Sequence, residues 1–378
     1  QNPDLRARFT GQADHIVNFF TFIAEQVREY LALLGYRTLD EAIGQSQLLD
    51  SSEAIDLWGT SGLDITPIFK TASEHEGPKR RTSSQVHEVE NHFDNQIINQ
   101  IENSLSEGHP TSLQLEISNT AQAVGTLLGH HVTKRWGENG LPAETINIRL
   151  VGSAGQSFGA FVPAGVKLEL IGDANDYLAK GLSGGIVSVT PPAEAGFSAE
   201  ESVIAGNVVG YGATAGEIYV SGLVGERFLI RNSGATAVAE GVGDHALEYM
   251  TGGTAVILGE TGRNLAAGMS GGIAYVYNLR SELLNQNSLK NQEIDLLDLS
   301  SQDGEFLSEI LTRHVELTGS KLAKKMLDNW TDEVSKFTKI LPTNFAKVTE
   351  IQAEELANGG SLDSSAVWKK ILEVSTRG

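Results

Sequence analysis

Five glycines, Gly216, Gly225, Gly234, Gly243 and Gly252, stand nine residues apart, and taken two at a time they give a period of 18. Val220, Val238 and Val256 share one phase of that period, and Leu150, Leu168 and Ile186 keep the same step further upstream. A fixed period near 18–20 with short β-branched runs between glycines describes a parallel β-helix. Eighteen extended residues at about 3.3 Å each make a coil of roughly 60 Å perimeter, and each coil stacks about 4.8 Å from the last. The three valines are therefore expected to form one interior ladder, with glycine at the corners because it takes positive φ at little cost. Between Ile186 and Val220 the step lengthens to 34, so one turn carries an insertion of about 16 residues, and Pro191-Pro192 marks where it leaves the stack.

The same reading settles two glycine loops that look like phosphate cradles. Leu178-Ala-Lys-Gly-Leu-Ser-Gly-Gly-Ile-Val-Ser-Val189 and Leu265-Ala-Ala-Gly-Met-Ser-Gly-Gly-Ile-Ala-Tyr-Val276 are near copies 87 positions apart. In both, the glycine pair leads into an alternating strand, whereas a phosphate loop feeds the N-terminus of a helix. Gly210-Tyr-Gly-Ala-Thr-Ala-Gly216 fails as a dinucleotide fingerprint for the same reason, since it runs into Glu217-Ile-Tyr-Val220.

Outside the repeat the texture is helical. Ala13 to Leu34 places Ile16, Phe19, Phe20, Ile23, Val27, Tyr30 and Leu31 on one face, with Gly35 as the stop. Residues 45–81 read as a connector ending in Gly77-Pro-Lys-Arg-Arg81. Ser84 to Leu105 carries a helical apolar stripe ended by Gly108, Leu113 to Ile117 alternates like a strand, and Asn119 is placed to cap a helix reaching Trp136. Of 41 glycines, 25 fall between Gly152 and Gly272. Beyond Leu279 the pattern predicts helices from Glu305 to Leu317 and from Lys321 to Leu341, then a short one around Val367 to Val374. The expected organisation is residues 1–44 as a terminal helix, 45–110 as a connector with one amphipathic helix, 111–279 as the β-helix, and 280–378 as a helical tail.

Charge and composition narrow the function. A net charge of −20 disfavours nucleic acid and anionic membrane, and the absence of Cys removes disulfides, thiolate metal sites and thiol nucleophiles. No run of about 18 apolar residues and no signal-like start is present, so a cytoplasmic location is expected. Gln1 in place of Met suggests a segment of a longer chain. His87 and His92 are five apart, off the i, i+4 metal register, and His130-His131 diverge on their helix. Asp244-His245 with Ser270 lacks a nucleophile elbow. Glu226-Arg227 and Arg231-Asn232 are expected as buried ion pairs or interface residues, and the Lys321 to Lys325 cluster as a solvated helix face. No catalytic, cofactor-binding or metal-binding residue is assigned.

Longer stretches carry a resemblance. Gly212-Ala-Thr-Ala-Gly-Glu-Ile-Tyr-Val220, Gly225-Glu-Arg-Phe-Leu-Ile-Arg-Asn-Ser-Gly234 and Glu240-Gly-Val-Gly-Asp-His-Ala-Leu-Glu-Tyr-Met-Thr-Gly-Gly253 resemble the C-terminal domain of the glutamate synthase large subunit. Gly155 to Phe161, Gly172 to Gly181 and His314-Val-Glu-Leu-Thr-Gly319 extend the likeness, and Arg8 to Gly11, Val17 to Phe20 and Leu34 to Arg37 resemble the last helix of that family's flavin barrel. The resemblance implies a right-handed β-helix of architectural role, packed between a cysteine amidotransferase and an FMN barrel with a 3Fe-4S cluster. Those two domains and a small electron-input subunit are the implied partners. With no Cys, this chain holds neither the nucleophile nor the cluster ligands, and no cofactor is expected in it. A separate interaction subunit and a carbohydrate-active β-helix are the other readings, the latter weakened by few aromatics along the rungs.

Overall fold

The computed structural model describes residues 11–50, 66–70, 77–362 and 364–375, and the chain divides into two compact units, Gln1–Glu88 and Val89–Gly378. In the first unit, helix α1 (Ala13–Leu33) ends near Gly35, which takes φ +80°. None of its residues is buried, and Phe19, Phe20 and Phe22 are all exposed. Short 3-10 turns at Ser46–Leu48 and Thr66–Phe69 are joined by the Ser46 hydroxyl, which donates to the carbonyls of Phe69 and Lys70. The family-like residues Arg8 to Thr10 lie outside the described residues.

The second unit is a β-solenoid. Strands β1 (Thr111–Ile117), β2 (Ile146–Ala154), β3 (Val166–Ala174), β4 (Ser183–Thr190), β5 (Val203–Ala205), β6 (Ala215–Val224), β7 (Ser233–Val242), β8 (Thr251–Ile257) and β9 (Gly271–Tyr277) are all paired in parallel, each rung with the next. The insertion is where its prolines place it. The chain leaves the stack after Thr190 and returns at Val203, where β5 completes the rung by pairing with β3 and β6.

The fixed ladder of 18 does not hold. Val220 stands beside Ala239, not Val238, and Leu168 stands beside Val187, not Ile186. The interior column runs Leu150, Leu170, Val189, Val220, Ala239, Ile257 and Val276, each of them essentially inaccessible to solvent. Val238 pairs with Val256, in a column with Tyr219 and Tyr275 that belongs to a second core outside the coil. The step between rungs varies by a residue or two. The β2–β3 and β3–β4 ladders advance by 20 and 19 in unbroken register, and the later ladders shift by one residue at Ser183/Ile186, Val203/Ala205, Val220/Leu223, Ser233/Thr236 and Thr251/Thr254. One residue of slip sends a side chain to the other face.

The turns also differ from the all-glycine expectation. Six successive rungs pass through a segment in which alternate residues have positive φ. The sets are Ser157, Gly159, Phe161; Tyr177, Ala179, Gly181; Val208, Gly210, Gly212; Arg227, Leu229, Arg231; His245, Leu247, Tyr249; and Asn264, Ala266, Gly268. Most are not glycine. The alternation turns successive N–H groups up and down the stack: Arg227 N–H donates to Asp244 O, Leu229 N–H to Val209 O, and Arg231 N–H to Glu248 O. Between them, Phe158, Leu178, Val209, Phe228, Ala246 and Leu265 point into the core. The nine-residue glycines serve close approach instead. A Cβ on Gly234 would overlap the Thr214 carbonyl, and one on Gly252 the Ser233 carbonyl.

Helices and an antiparallel pair close the ends. The stripe expected as one helix from Ser84 to Leu105 is a 3-10 turn at Val89–Asn91 followed by α2 (Asp94–Gln100) and α3 (Glu102–Glu107), broken where Ile101 leaves helical angles. Asp94, the first residue of α2, has its partners outside its own helix. It is buried, and its carboxylate accepts the N–H groups of Gly125 at 2.9 and 3.0 Å and of Leu128 at 3.0 Å, so it caps α4 (Thr126–Trp136) from 31 residues away. Asn119 does not cap this helix; Gly125 occupies that position. Burial raises the Asp94 carboxyl above its ordinary value, against the lowering effect of those N–H donors.

Downstream, α5 (Ser301–Thr318) starts at a Ser300/Asp303 capping box, four residues before the expected Glu305, and stops at left-handed Gly319 as expected. The helix expected from Lys321 to Leu341 ends early. It is α6 (Lys321–Asp328), a turn at Trp330–Glu333, and strand β11 (Phe337–Pro342), which pairs antiparallel with β9 and with β10 (Ile294–Leu297). The last coil would otherwise present an open edge, and β11 covers it. Helices α7 (Thr343–Ala357) and α8 (Ser365–Ser375) complete the described chain. Leu307, Leu311, Ala323, Met326 and Phe337 pack on Tyr219, Val238, Val256 and Tyr275 as the second core; each large apolar side chain buried there contributes about 1.5–3 kcal/mol.

Two substitutions test this geometry. Val238→Asp buries an unpaired charge under α5 and should cost several kcal/mol, on the order of 3–5; a melt within about 1 kcal/mol of the parent would mean this column is solvated. At exposed, left-handed Arg227, Arg227→Gly should hold stability while β-branched Arg227→Val should lose roughly 1–2 kcal/mol. Equal midpoints in urea would contradict the left-handed turn.

Candidate functional site

The residues weighed from sequence are mostly kept apart or occupied by structure. Gly184-Gly185 and Gly271-Gly272 lie within β4 and β9, against the backbone of the neighbouring rung. His92 Nε2 meets Gln122 O, His130 and His131 stack edge-to-face at the surface, and His87 is exposed. Among the described residues no group of three His, Asp or Glu could hold a metal. Asp244 binds Arg263 through backbone and guanidinium, which hold its carboxyl below the usual range, while His245 Nδ1 meets Glu248 at 2.7 Å. Ser270 joins neither. Glu226 and Arg227 do pair, at 3.6 Å, but about half exposed and not buried. Asn232 is buried as a clip, donating to Ala235 O and Gly252 O and accepting from Ala235 N–H. Lys324 pairs with Asp328 on the solvent face of α6.

What the sequence reading missed is the polar seam where α5 and α6 meet the coil. Arg313 donates to Glu144 at 3.0 Å and Glu217 at 3.2 Å, joining residues 169 and 96 positions apart. Next to it, His314 is fully buried and stacks on Tyr219 at 5.8 Å. Burial, then neighbouring Glu217, pushes the Tyr219 hydroxyl far up, so it stays protonated. Glu240, also buried, accepts from the hydroxyls of Ser221 and Ser320, and its Oε1 lies 3.7 Å from His314 Nε2. Neither that nitrogen nor Glu240 Oε2 has a hydrogen-bond partner. Glu240 borders a cleft of about 740 Å³ lined also by Leu258, Glu260, Tyr277 and Leu322.

At the other end of α5, Asp303 accepts from the Tyr275 hydroxyl at 2.6 Å, Lys339 Nζ at 2.7 Å and the Ser300 hydroxyl at 2.6 Å. Burial alone would raise its carboxyl, but Lys339, Ser300 and Tyr275 together hold it well below the ordinary aspartate value of 3.8. Chemically, these groups fasten a helix to the coil. A sequence signal existed. Glu240 ends the apolar run Ala235-Thr-Ala-Val-Ala239, where a charge needs a partner.

A coil of parallel rungs joined by left-handed turns, with a helical tail locked to its flank, defines a β-solenoid module. A profile of the family described as GXGXG motif matches residues 94–343, and the chain belongs to that family. It is 44% identical to the glutamate synthase [NADPH] large chain of Bacillus subtilis (strain 168) over 371 residues, which are 97% of this chain and 24% of that protein. With the glutamate synthase [NADH] of Schizosaccharomyces pombe it shares 44% over 93% of this chain and 17% of that protein. The chloroplastic ferredoxin-dependent glutamate synthase of Spinacia oleracea is 36% identical over 97% of this chain and 23% of its own length. The likeness seen in Gly212 to Val220 thus runs through the connector and tail as well. The chain spans about a quarter or less of these relatives.

Asp303 makes the seam pH-dependent. Its folded carboxyl is held below the unfolded value, so its stabilisation is present above about pH 4–5 and is lost as pH falls further. Asp303→Asn should cost about 2 kcal/mol at pH 7 and flatten the acid limb of the stability curve. Parallel slopes for variant and parent from about pH 5 to 2 would show that Asp303 carries no such coupling.

Proposed function

We propose that this chain is the scaffold module of a glutamate synthase, a rigid solenoid that holds the catalytic parts of a longer chain in register. The observation that carries the reading is the breadth of the match. More than nine-tenths of the chain aligns with relatives whose names specify NADPH, NADH or ferredoxin. A segment kept whole across three electron donors serves something the three enzymes have in common, not the choice of donor. The parent reaction is then formation of two L-glutamate from L-glutamine, 2-oxoglutarate and reductant, with the amidotransferase and FMN-barrel domains as partners. In this reading FMN and the 3Fe-4S cluster belong to the remainder of the parent chain. The exposed apolar face of α1, including Ile16, Phe19 and Phe20, is the kind of surface such a barrel would cover.

No helix among the described residues is long and apolar enough to cross a membrane. Among the described residues, the buried Asp94, Asn232 and Asp303 side chains tie layers and helices together. Purified alone, the chain should form no glutamate from glutamine and 2-oxoglutarate with any of the three reductants and should carry no flavin absorbance. Turnover, or flavin bound in stoichiometric amount, would overturn the reading.

A further inference from the structure

The left-handed segments place a strip of rings and cations on the outside of the solenoid. Phe161 is 50% exposed and lies across Gly181 of the next rung, while Tyr249, 54% exposed, lies across Gly268. Lys180 Nζ stands 5.8 Å from the Phe161 ring and 5.4 Å from that of Tyr177, which meets Tyr211 edge-on. The Arg231 guanidinium lies 5.7 Å over Tyr249. These side chains are held on a backbone whose every layer is hydrogen-bonded to the next, so little ordering cost remains on binding.

Charge decides what the strip fits. In the neighbouring column the acids are already engaged: Asp244 with Arg263, Glu226 with Arg227, Glu248 with His245 and Asn264. Among the described residues, Lys180 and Arg231 form no ion pair; their recorded contacts are ring faces. A chain of net charge −20 thus exposes two uncompensated cations between aromatic rings. Tyr, Phe and Arg on a rigid surface are the composition of interface cores.

We propose that this strip docks a carboxylate-bearing segment of the remaining part of the glutamate synthase chain, whose acids take Lys180 and Arg231 and whose apolar groups lie on Phe161 and Tyr249. The proposal rests on the scaffold reading and adds the face that reading leaves open. A second copy of this chain fits less well, because the strip offers no free acid with which to meet itself.

Zero-length carbodiimide coupling of the full-length chain, mapped by mass spectrometry, tests it. Lys180 should couple to Asp or Glu outside these 378 residues. The double variant Lys180→Glu/Arg231→Glu should raise amide exchange of Lys180–Gly181 and Arg231 by tenfold or more, whereas Lys324→Glu should not. If other lysines of the chain couple outward but Lys180 does not, the scaffold reading stands and this face is the wrong one. If no lysine of the chain couples outward, the scaffold reading itself falls. Coupling of Lys180 to a second copy in a mixed-isotope sample, or unchanged exchange in the double variant, would also overturn the assignment.

Discussion

A backbone N–H that points along the axis of a coil has one place to find an acceptor, the layer beside it, about 4.8 Å away. In strands that condition is met by parallel pairing, as between Tyr219 and Val238 or Val256 and Tyr275. At the turns an ordinary loop would leave polar groups stranded against the core. Here the turn itself becomes a ladder. Alternate residues flip to positive φ so that Arg227, Leu229 and Arg231 donate up, down and up again. Leu229 and Leu247 accept a left-handed cost of about 1–2 kcal/mol each, because the alternative is an unpaired buried amide costing about as much or more.

The same spacing governs the glycines. Where layers cross a corner, a carbonyl of one rung occupies the place of a Cβ on the next, as Thr214 does for Gly234 and Ser233 for Gly252. Glycine is there for space, and at other positions, such as Gly172 at φ +150° and Gly216 at φ +100°, conformation adds to the requirement. An unbroken stack then poses a second problem at its ends. One is met by α4, whose Leu128 and Val132 join the interior core while Asp94 holds its first turn. The other is met by β11, turned antiparallel so that the last coil is paired.

This is also where the sequence was legible and where it was not. The period and the strand-leading glycine pairs are chemical necessities, and they gave the solenoid and the exit at Pro191-Pro192. Register is different. Rung lengths differ by a residue and five register shifts among the described residues each displace the count by one more, with no composition signal to mark them, so Val220 and Val238 looked like neighbours in one column while occupying opposite faces. Thr338 to Leu341 reads as helix by continuity with Lys321 to Leu327, but an unpaired β9 edge outbids helix propensity that is only tenths of a kcal/mol per residue. Asp94 capping α4 is a contact over 31 positions and carries no local pattern.

The seam shows why a repetitive body needs non-repetitive contacts. The second core presents α5 with a column of Tyr219, Val238, Val256 and Tyr275, one apolar group per layer. On such a surface a helix moved along the axis by one layer would bury nearly the same area, so apolar packing fixes distance better than position. Arg313 between Glu144 and Glu217, His314 beside Glu240, and Asp303 between Tyr275 and Lys339 occur once each along this helix. A shift of one layer would leave buried Asp303 and Glu240 without these partners, at several kcal/mol apiece, and would break the partly exposed Arg313 pairs at a smaller cost. Buried polar groups that add little net stability therefore select a single seating.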